Sequence, residues 1–326
     1  MNFKGASILS IDQFEKVDVE HIFSLAAIME SYAERKKRTR VLEGAVLGNL
    51  FFEPSTRSRI SFEIAFQRLG GAVTTMAERA TTSMVKGESL EDTVRILGGY
   101  ADLLVIRHPQ EGALKRCAQA TPCPIINSGD GAGEHPTQAL LDLYTILKEC
   151  KRTFHQLDGI SITMVGDLKH SRTAHSLVKL LSLLKNIRFN FISAEALRIP
   201  RELLEELLSR GHSAYETTDL VQGLRRADVL YMTRLQEERF ATPQEAEQYR
   251  GAYCLKREIY EKGVGSRFVP ILHPLPRDHR FGVCEIDQDL NEHAALAIFR
   301  QAQNGIPLRM ALFALILDVA TSLRAF

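Results

Sequence analysis

The stretch Leu50 to Glu63, LFFEPSTRSRISFE, sets the hydroxyls of Ser55, Thr56 and Ser58 beside the guanidinium of Arg57. A short apolar run stops there at Pro54, and an apolar pattern of longer period begins. If VLGNLFF is a strand and Ser55 is the N-cap of a helix, the backbone N–H groups of the first turn have no intrahelical acceptor. They point outward with the positive end of the helix dipole. With the hydroxyls and Arg57 added, such a turn offers a phosphate dianion about half a dozen donors. Ile60, Phe62, Ile64, Ala65, Phe66 and Leu69 are expected to form the buried stripe of this helix, and Gly70-Gly71 its end.

Other strand-like runs also finish in chemistry. ADLLVIR ends in Arg107, and the segment GDGAGEHPTQ places His135 directly before a proline that suits a first helical position. Gly129, Gly131 and Gly133 resemble a dinucleotide fingerprint, but Glu134 stands where its third glycine belongs, and no G-x-x-x-x-G-K-[ST] occurs. A nucleotide cradle is rejected on both counts. In the second half SITMVGD precedes Lys169, His170, Ser171 and Arg172, ADVLYMT precedes Arg234 and Gln236, and FVPILHPLPR contains the turn Pro274-Leu275-Pro276. Arginine binds carboxylates bidentately, so these strand ends suit a second anion. The chemistry expected is two anions held side by side.

Those residues must be positioned by elements that alternate. VLGNLFF, ADLLVIR, CPIINSG, SITMVGD and RFNFISA are each followed by a helical pattern, which predicts βαβ units and parallel sheets covered on both faces. Ligands of such sheets lie beyond the carboxyl ends of the strands. The expected fold is α/β, with two domains that are each a parallel β-sheet flanked by helices. The helix pattern HPTQALLDLYTILKEC followed by polar KRTFHQLDG suggests a join, giving domains 1–145 and 146–295, with 296–326 packing back on the first.

At 326 residues the chain can bury roughly three quarters of its unfolded surface, so neither a disulfide nor a metal is required for folding. A hydrophobic fraction of 45%, a charged fraction of 25% and a net charge of +1 exert no global pull toward nucleic acid or an anionic membrane. The basic run Arg35 to Arg40 has no interleaved aromatics and reads as a solvated loop. The five cysteines form no C-x-x-C pair and no zinc-ligand spacing, as expected of reduced thiols in a cytoplasmic protein. The N-terminus has neither signal-peptide nor transit-peptide character, and the tract MALFALILDVA is about half of the ~20 residues that span a bilayer.

In order and spacing, FFEPSTRSRISFE, KGESLEDT, RHPQEGA, GDGAGEHPTQALLDLYTI, MVGDLKHSRTAHSL, YMTRLQEER, HPLPR and QAQNGIPLRMALFALIL resemble the catalytic chains of the aspartate/ornithine carbamoyltransferase superfamily over essentially the whole chain. YMTRLQ and HPLPR resemble the aspartate branch; ornithine-using relatives carry a Cys-containing HCLP where this chain has His273-Pro274-Leu275-Pro276. The resemblance implies a site in the cleft between domains and at a subunit interface. Ser55, Thr56, Arg57 and Ser58 would hold the phosphate of carbamoyl phosphate, the family usually having Thr where Ser58 stands. Arg107 would reach phosphate and carbonyl oxygen, His135 the carbonyl oxygen, and Gln138 with the backbone carbonyls of Pro274 and Leu275 the carbamoyl amide. Arg172, Arg234 and Gln236 would hold the carboxylates of aspartate. Lys86 would arrive from a neighbouring subunit of a homotrimer together with the hydroxyl of Thr82 or Ser83. Glu53 would pair with Arg172 and Arg239 on domain closure.

The implied reaction is attack of the α-amine of L-aspartate on carbamoyl phosphate, giving N-carbamoyl-L-aspartate and phosphate in an early step of de novo pyrimidine (UMP) synthesis. It needs no cofactor and no metal. Thr56, Arg107 and His135 would stabilise the oxyanion. His135 would act through a protonated nitrogen rather than as a simple base, and the acceptor of the amine proton stays open. RHPQEGA resembles the segment that meets a zinc-bearing regulatory chain in some relatives, so a lone trimer, a regulatory chain and a dihydroorotase-like partner all remain open. The rivals are a carbamoyltransferase for another amine, such as ornithine, and a catalytically silent paralogue.

Overall fold

The computed structural model describes residues 1–77, 83–280 and 283–324, and within them every side chain except those of Ser83, Met84 and Arg324. The chain divides into one unit of Met1–Leu141 with Gln303–Phe326 and a second of Asp142–Ala302. Both joins fall inside continuous helices, Pro136–Cys150 and Ile298–Ile316. A continuous helix shows no composition break, so sequence places such joins only approximately.

The first unit holds strands β1 (Val46–Phe51), β2 (Ala72–Met76), β3 (Leu103–His108) and β4 (Ile125–Asp130), all parallel in the order β2-β1-β3-β4. β1 and β3 are buried almost throughout, as largely apolar runs covered on both faces should be, and β4 is buried although Asn127, Ser128 and Asp130 in its second half are polar, whereas edge strand β2 is mostly exposed or half-buried. The second unit holds β5 (Ser161–Val165), β6 (Arg188–Ile192), β7 (Ser213–Thr217), β8 (Val229–Met232) and β9 (Ile271–Leu272), parallel in the order β7-β6-β5-β8-β9. Leu230, Met232, Leu255, Ile271, Ile286 and Leu296 are among the buried side chains of its core. Among the described residues no helix is long and apolar enough to cross a membrane.

The helix expected after β1 runs Thr56–Arg68, and Gly70 follows it at φ +95°. Its buried face is narrower than the sequence suggested: Phe62, Ala65, Phe66 and Leu69 are buried, Ile64 is half-buried and Ile60 is exposed. Ile60 precedes Phe62 by two residues, about 200° round the helix, and so faces away from that stripe. Within the C-terminal segment 296–326 the helix runs Ile298–Ile316 and is separated from the short helix Ala320–Arg324 by Asp318 at φ 58°, so the segment is not one continuous helix. Phe313 sets its ring 6.0 Å from that of Phe62 and 5.0 Å from that of Phe66, with the Arg309 guanidinium 4.5 Å from the Phe62 centroid. All three rings are fully buried. Phe313→Ala should therefore cost about 3–5 kcal/mol of stability, read from the shift of the urea midpoint at constant m-value; a loss below about 1 kcal/mol would mean that this contact does not fasten the C-terminal helix.

Candidate active site

In the first unit the strand order reverses between β1 and β3, and the open crevice of such a sheet lies beyond the carboxyl ends of those two strands. Phe51 is in register with Arg107, and Phe52 N donates to Arg107 O at 2.9 Å, so pairing continues to the mouth of the crevice. Ser55 occupies the N-cap position at φ −161°, ψ 103°, but its side chain makes no capping hydrogen bond, and the first helical turn carries no acidic residue. The positive end of the dipole is thus not offset from within the turn. Thr56 and Arg57 are exposed, Ser55 and Ser58 half-buried.

Arg107 stands where the register between β3 and β4 shifts, an irregularity that re-aims a side chain. Its Nε lies 3.1 Å from Glu53 Oε2, and Nη1 donates to Ser128 O at 3.5 Å. His135 is buried one residue before the helix Pro136–Cys150, with Nδ1 3.5 Å from Thr137 Oγ1 and its carbonyl accepting from Gln138 N at 3.0 Å. Gln138 is buried one turn further on. The glycine-rich turn before His135 serves packing. A Cβ on Gly131, at φ +51°, would meet Glu111 N at 2.5 Å. Glu134 accepts from Ser10 Oγ at 2.9 Å and Ile11 N at 2.7 Å, tying the turn to the N-terminal segment. The Ser55–Ser58 turn after β1, Arg107 near the end of β3 and His135 after β4 therefore stand at the carboxyl ends of three adjacent strands of one sheet. Lys86 is exposed at the end of the short 3-10 helix Ser83–Lys86; Thr82 and the Ser83 side chain lie outside the described residues.

In the second unit the order reverses between β5 and β8. Gly166, at φ +118°, lets the backbone pass where a Cβ would sit 2.3 Å from Thr233 O. Buried Asp167 then accepts from His170 N and from Gln236 N, each at 3.1 Å, and so fastens the segment after β5 to the segment after β8. Arg172 opens the helix Arg172–Leu181, capped by Ser171. Arg234 binds Glu238 through two hydrogen bonds and donates to Leu235 O at 2.9 Å, while Gln236 Nε2 donates to Arg234 O at 3.1 Å. Partial burial pushes the Glu238 carboxyl up, but the hydrogen bond from Arg234, a backbone hydrogen bond and the charges of Arg234 and Arg239 together hold the group below its ordinary value. Arg239 is half-buried at the end of the 3-10 turn Glu237–Arg239.

Two braces around these side chains escaped the sequence reading. Glu237 accepts from Arg250 at 2.9 Å through both oxygens and from Arg280 at 2.7 Å. The second brace lies under the His273-Pro274-Leu275-Pro276 turn. His273 N donates to Gln301 Oε1 at 2.8 Å, Gln301 Nε2 donates to Asp142 Oδ1 at 2.6 Å, and Tyr231 Oη donates to Asp142 Oδ2 at 2.8 Å. His273 Nδ1 in turn accepts from Leu275 N at 2.8 Å. All four side chains are buried. The one available signal was polar residues at core-facing positions, such as Asp142 within HPTQALLDLYTILKEC.

The bonds from Arg250 and then Arg280 hold the Glu237 carboxyl at about 2, below its ordinary value of 4.5. A depressed carboxylate adds stability that is present above the unfolded value and is lost as pH falls toward the folded one. Between about pH 5 and about pH 2 the parent chain should therefore lose more stability than Glu237→Gln, measured by urea unfolding. Parallel pH profiles would leave this brace without energetic weight.

Residues 6–148 match the family model described as the carbamoyl-P binding domain of aspartate/ornithine carbamoyltransferase, and residues 158–316 the one described as its Asp/Orn binding domain. The aspartate carbamoyltransferase catalytic subunit of Saccharophagus degradans is 52% identical over 326 residues, covering 100% of this chain and 96% of that protein. The corresponding subunit of Methanocaldococcus jannaschii is 45% identical, over 94% of this chain and 95% of that one. Among solved structures, aspartate transcarbamoylase from Trypanosoma cruzi in complex with carbamoyl aspartate and phosphate superposes with a TM-score of 0.88 at 36% identity, covering 97% of each chain. The M. jannaschii catalytic subunit superposes with a TM-score of 0.85 at 45% identity, over 96% of this chain and 98% of that one. With both halves matched in order and relatives covered almost end to end, the chain belongs to the aspartate/ornithine carbamoyltransferase family.

Proposed function

We propose that the chain transfers the carbamoyl group of carbamoyl phosphate to the α-amine of L-aspartate, as part of pyrimidine synthesis in the cytoplasm. The observation that carries this reading is the helix start at Ser55–Ser58. Its N-cap hydroxyl is not used for capping, its first turn has no acid, and it opens at the β1/β3 reversal beside Arg107. A helix start of this kind favours an anion, which supports the phosphate role proposed for it. The aspartate reading has the support of relatives named as aspartate carbamoyltransferase catalytic subunits and of T. cruzi complexes with carbamoyl phosphate and aspartate and with N-(phosphonacetyl)-L-aspartic acid.

In the proposed mechanism Ser55, Thr56, Arg57 and Ser58 hold the phosphate. Arg107, His135 and Thr56 donate to the carbonyl oxygen, and Gln138 with the carbonyls of Pro274 and Leu275 orients the amide. Arg172, Arg234 and Gln236 take the aspartate carboxylates, Arg234 exchanging Glu238 for the substrate. The neutral amine nitrogen forms the new C–N bond, the tetrahedral oxyanion collapses, the C–O bond to phosphate breaks, and the departing phosphate takes the proton that the amine loses. Holding two anions together and stabilising the oxyanion account for the catalysis. Lys86 and a hydroxyl from Thr82 or Ser83 would be delivered by a neighbouring chain of a homotrimer, which native mass measurement reads directly. Glu53, paired with Arg107 in this structure, would exchange to Arg172 and Arg239 on closure.

The test offers carbamoyl phosphate with L-aspartate, L-ornithine or putrescine to the purified chain; product is expected with aspartate alone. Product with ornithine would overturn the roles given to Arg234 and Gln236. His135→Ala should lower kcat by about 10²–10³ with its thermal unfolding unchanged; lowered stability with an intact kcat would make His135 structural. Glu53→Ala should raise the KM for aspartate and lower kcat, and unaltered kinetics would remove it from closure.

A further inference from the structure

Cys254 and Cys284 play no part in the proposed reaction, yet the fold brings them together across 30 residues of chain, a separation that no spacing rule detects. Leu255 and Ile286, both fully buried, form a parallel bridge in which Leu255 N donates to Glu285 O at 2.8 Å and Asp287 N donates to Leu255 O at 2.9 Å. That bridge fixes the register of the two segments. The Sγ atoms of Cys254 and Cys284 consequently lie 2.9 Å apart, and a carboxylate oxygen of Asp287 joins them within a 4.8 Å cluster. All three residues are half-buried, and both cysteines are free thiols. Asp287 Oδ1 accepts from Asp289 N at 3.1 Å, which fixes the carboxylate and leaves its second oxygen for another partner.

We propose that Cys254, Cys284 and Asp287 bind a thiophilic divalent cation, Zn²⁺ foremost, with water as the fourth ligand. Two sulfurs and one carboxylate suit Zn²⁺ and disfavour Mg²⁺ and Ca²⁺, which take oxygen donors. Binding displaces the two thiol protons to solvent, so no oxidant or reductant takes part. With Zn–S bonds of about 2.3 Å, tetrahedral geometry asks for sulfurs ~3.8 Å apart, an opening that side-chain rotation at two half-buried cysteines can supply. The site would brace a functional loop. Glu285, between the two ligands on its segment, accepts from Asp278 N at 3.0 Å, directly after the His273–Arg277 turn.

The untagged chain, reduced and stripped with chelator, is titrated with Zn²⁺ against a chromophoric chelator. One equivalent per chain is expected, with a raised Tm; Cys284→Ser and Asp287→Asn should weaken binding at least about tenfold. Co²⁺ in place of Zn²⁺ should produce a thiolate-to-metal charge-transfer band that Cys254→Ser abolishes. Absence of stoichiometric binding by the folded parent, or equal binding by all three variants, overturns the proposal. A mass lower by two hydrogens without metal uptake also overturns it and assigns the pair to a disulfide.

Discussion

Where a parallel sheet reverses its strand order, the adjacent crossovers leave toward opposite faces and the gap between the two strand ends stays open. The chain builds this situation twice, at β1/β3 and at β5/β8, and nearly every side chain with a proposed role follows one of those strands or its neighbour. Positions within each crevice are then set by backbone bonds. The Phe52–Arg107 bond keeps β1 and β3 paired to the point where Glu53 and Arg107 meet, and Gly166 lets the β5 segment lie against Thr233 where any side chain would collide. Rigid strand ends explain how loops can carry exact geometry without themselves being buried.

A chain of net charge +1 must still concentrate positive charge locally. It does so by setting the arginines proposed to bind anions against carboxylates of the chain: Glu53 for Arg107 and Glu238 for Arg234. Ion pairs at such partly exposed positions are worth about 0–1 kcal/mol, so a bidentate substrate carboxylate can displace one at little cost. Asp167 is different in kind. It is fully buried and takes up backbone and side-chain donors, and leaving those buried donors without an acceptor would cost about 1–3 kcal/mol each. Exchangeable pairs lie where anions are proposed to bind, and the permanent carboxylate lies behind them.

The legible part of the fold was the part with strong local signals. β1, β3, β4, β5, β6 and β8 are largely buried and each contains a cluster of β-branched or apolar residues, so each could be read with the residues that follow it. Edge strands β2 and β7 are partly or largely exposed, with no such buried run to show. The helix Lys16–Ala33 carries a stripe of Val19, Ile22, Phe23, Ala26 and Met29 but follows no strand, so a search for strand–helix alternation passes over it. At the site, residue types at strand ends were readable because their chemistry is local. The braces were not: Asp142 and Gln301 are 159 residues apart, and only the folded chain makes them a pair.

Those braces bear on what the turn at His273–Pro276 can do. Backbone carbonyls orient a substrate amide well only if they are held before the substrate arrives. Here the holding runs inward from Leu275 N to His273 Nδ1, from His273 N to Gln301, and from Gln301 to Asp142 and Tyr231. Each bond in this chain is buried or nearly so, and buried hydrogen bonds gain strength from the low dielectric that would penalise any break in them. The turn is therefore positioned from the core of its own unit. The turn is thus held before any ligand arrives, as the amide-orienting role proposed for the carbonyls of Pro274 and Leu275 would require.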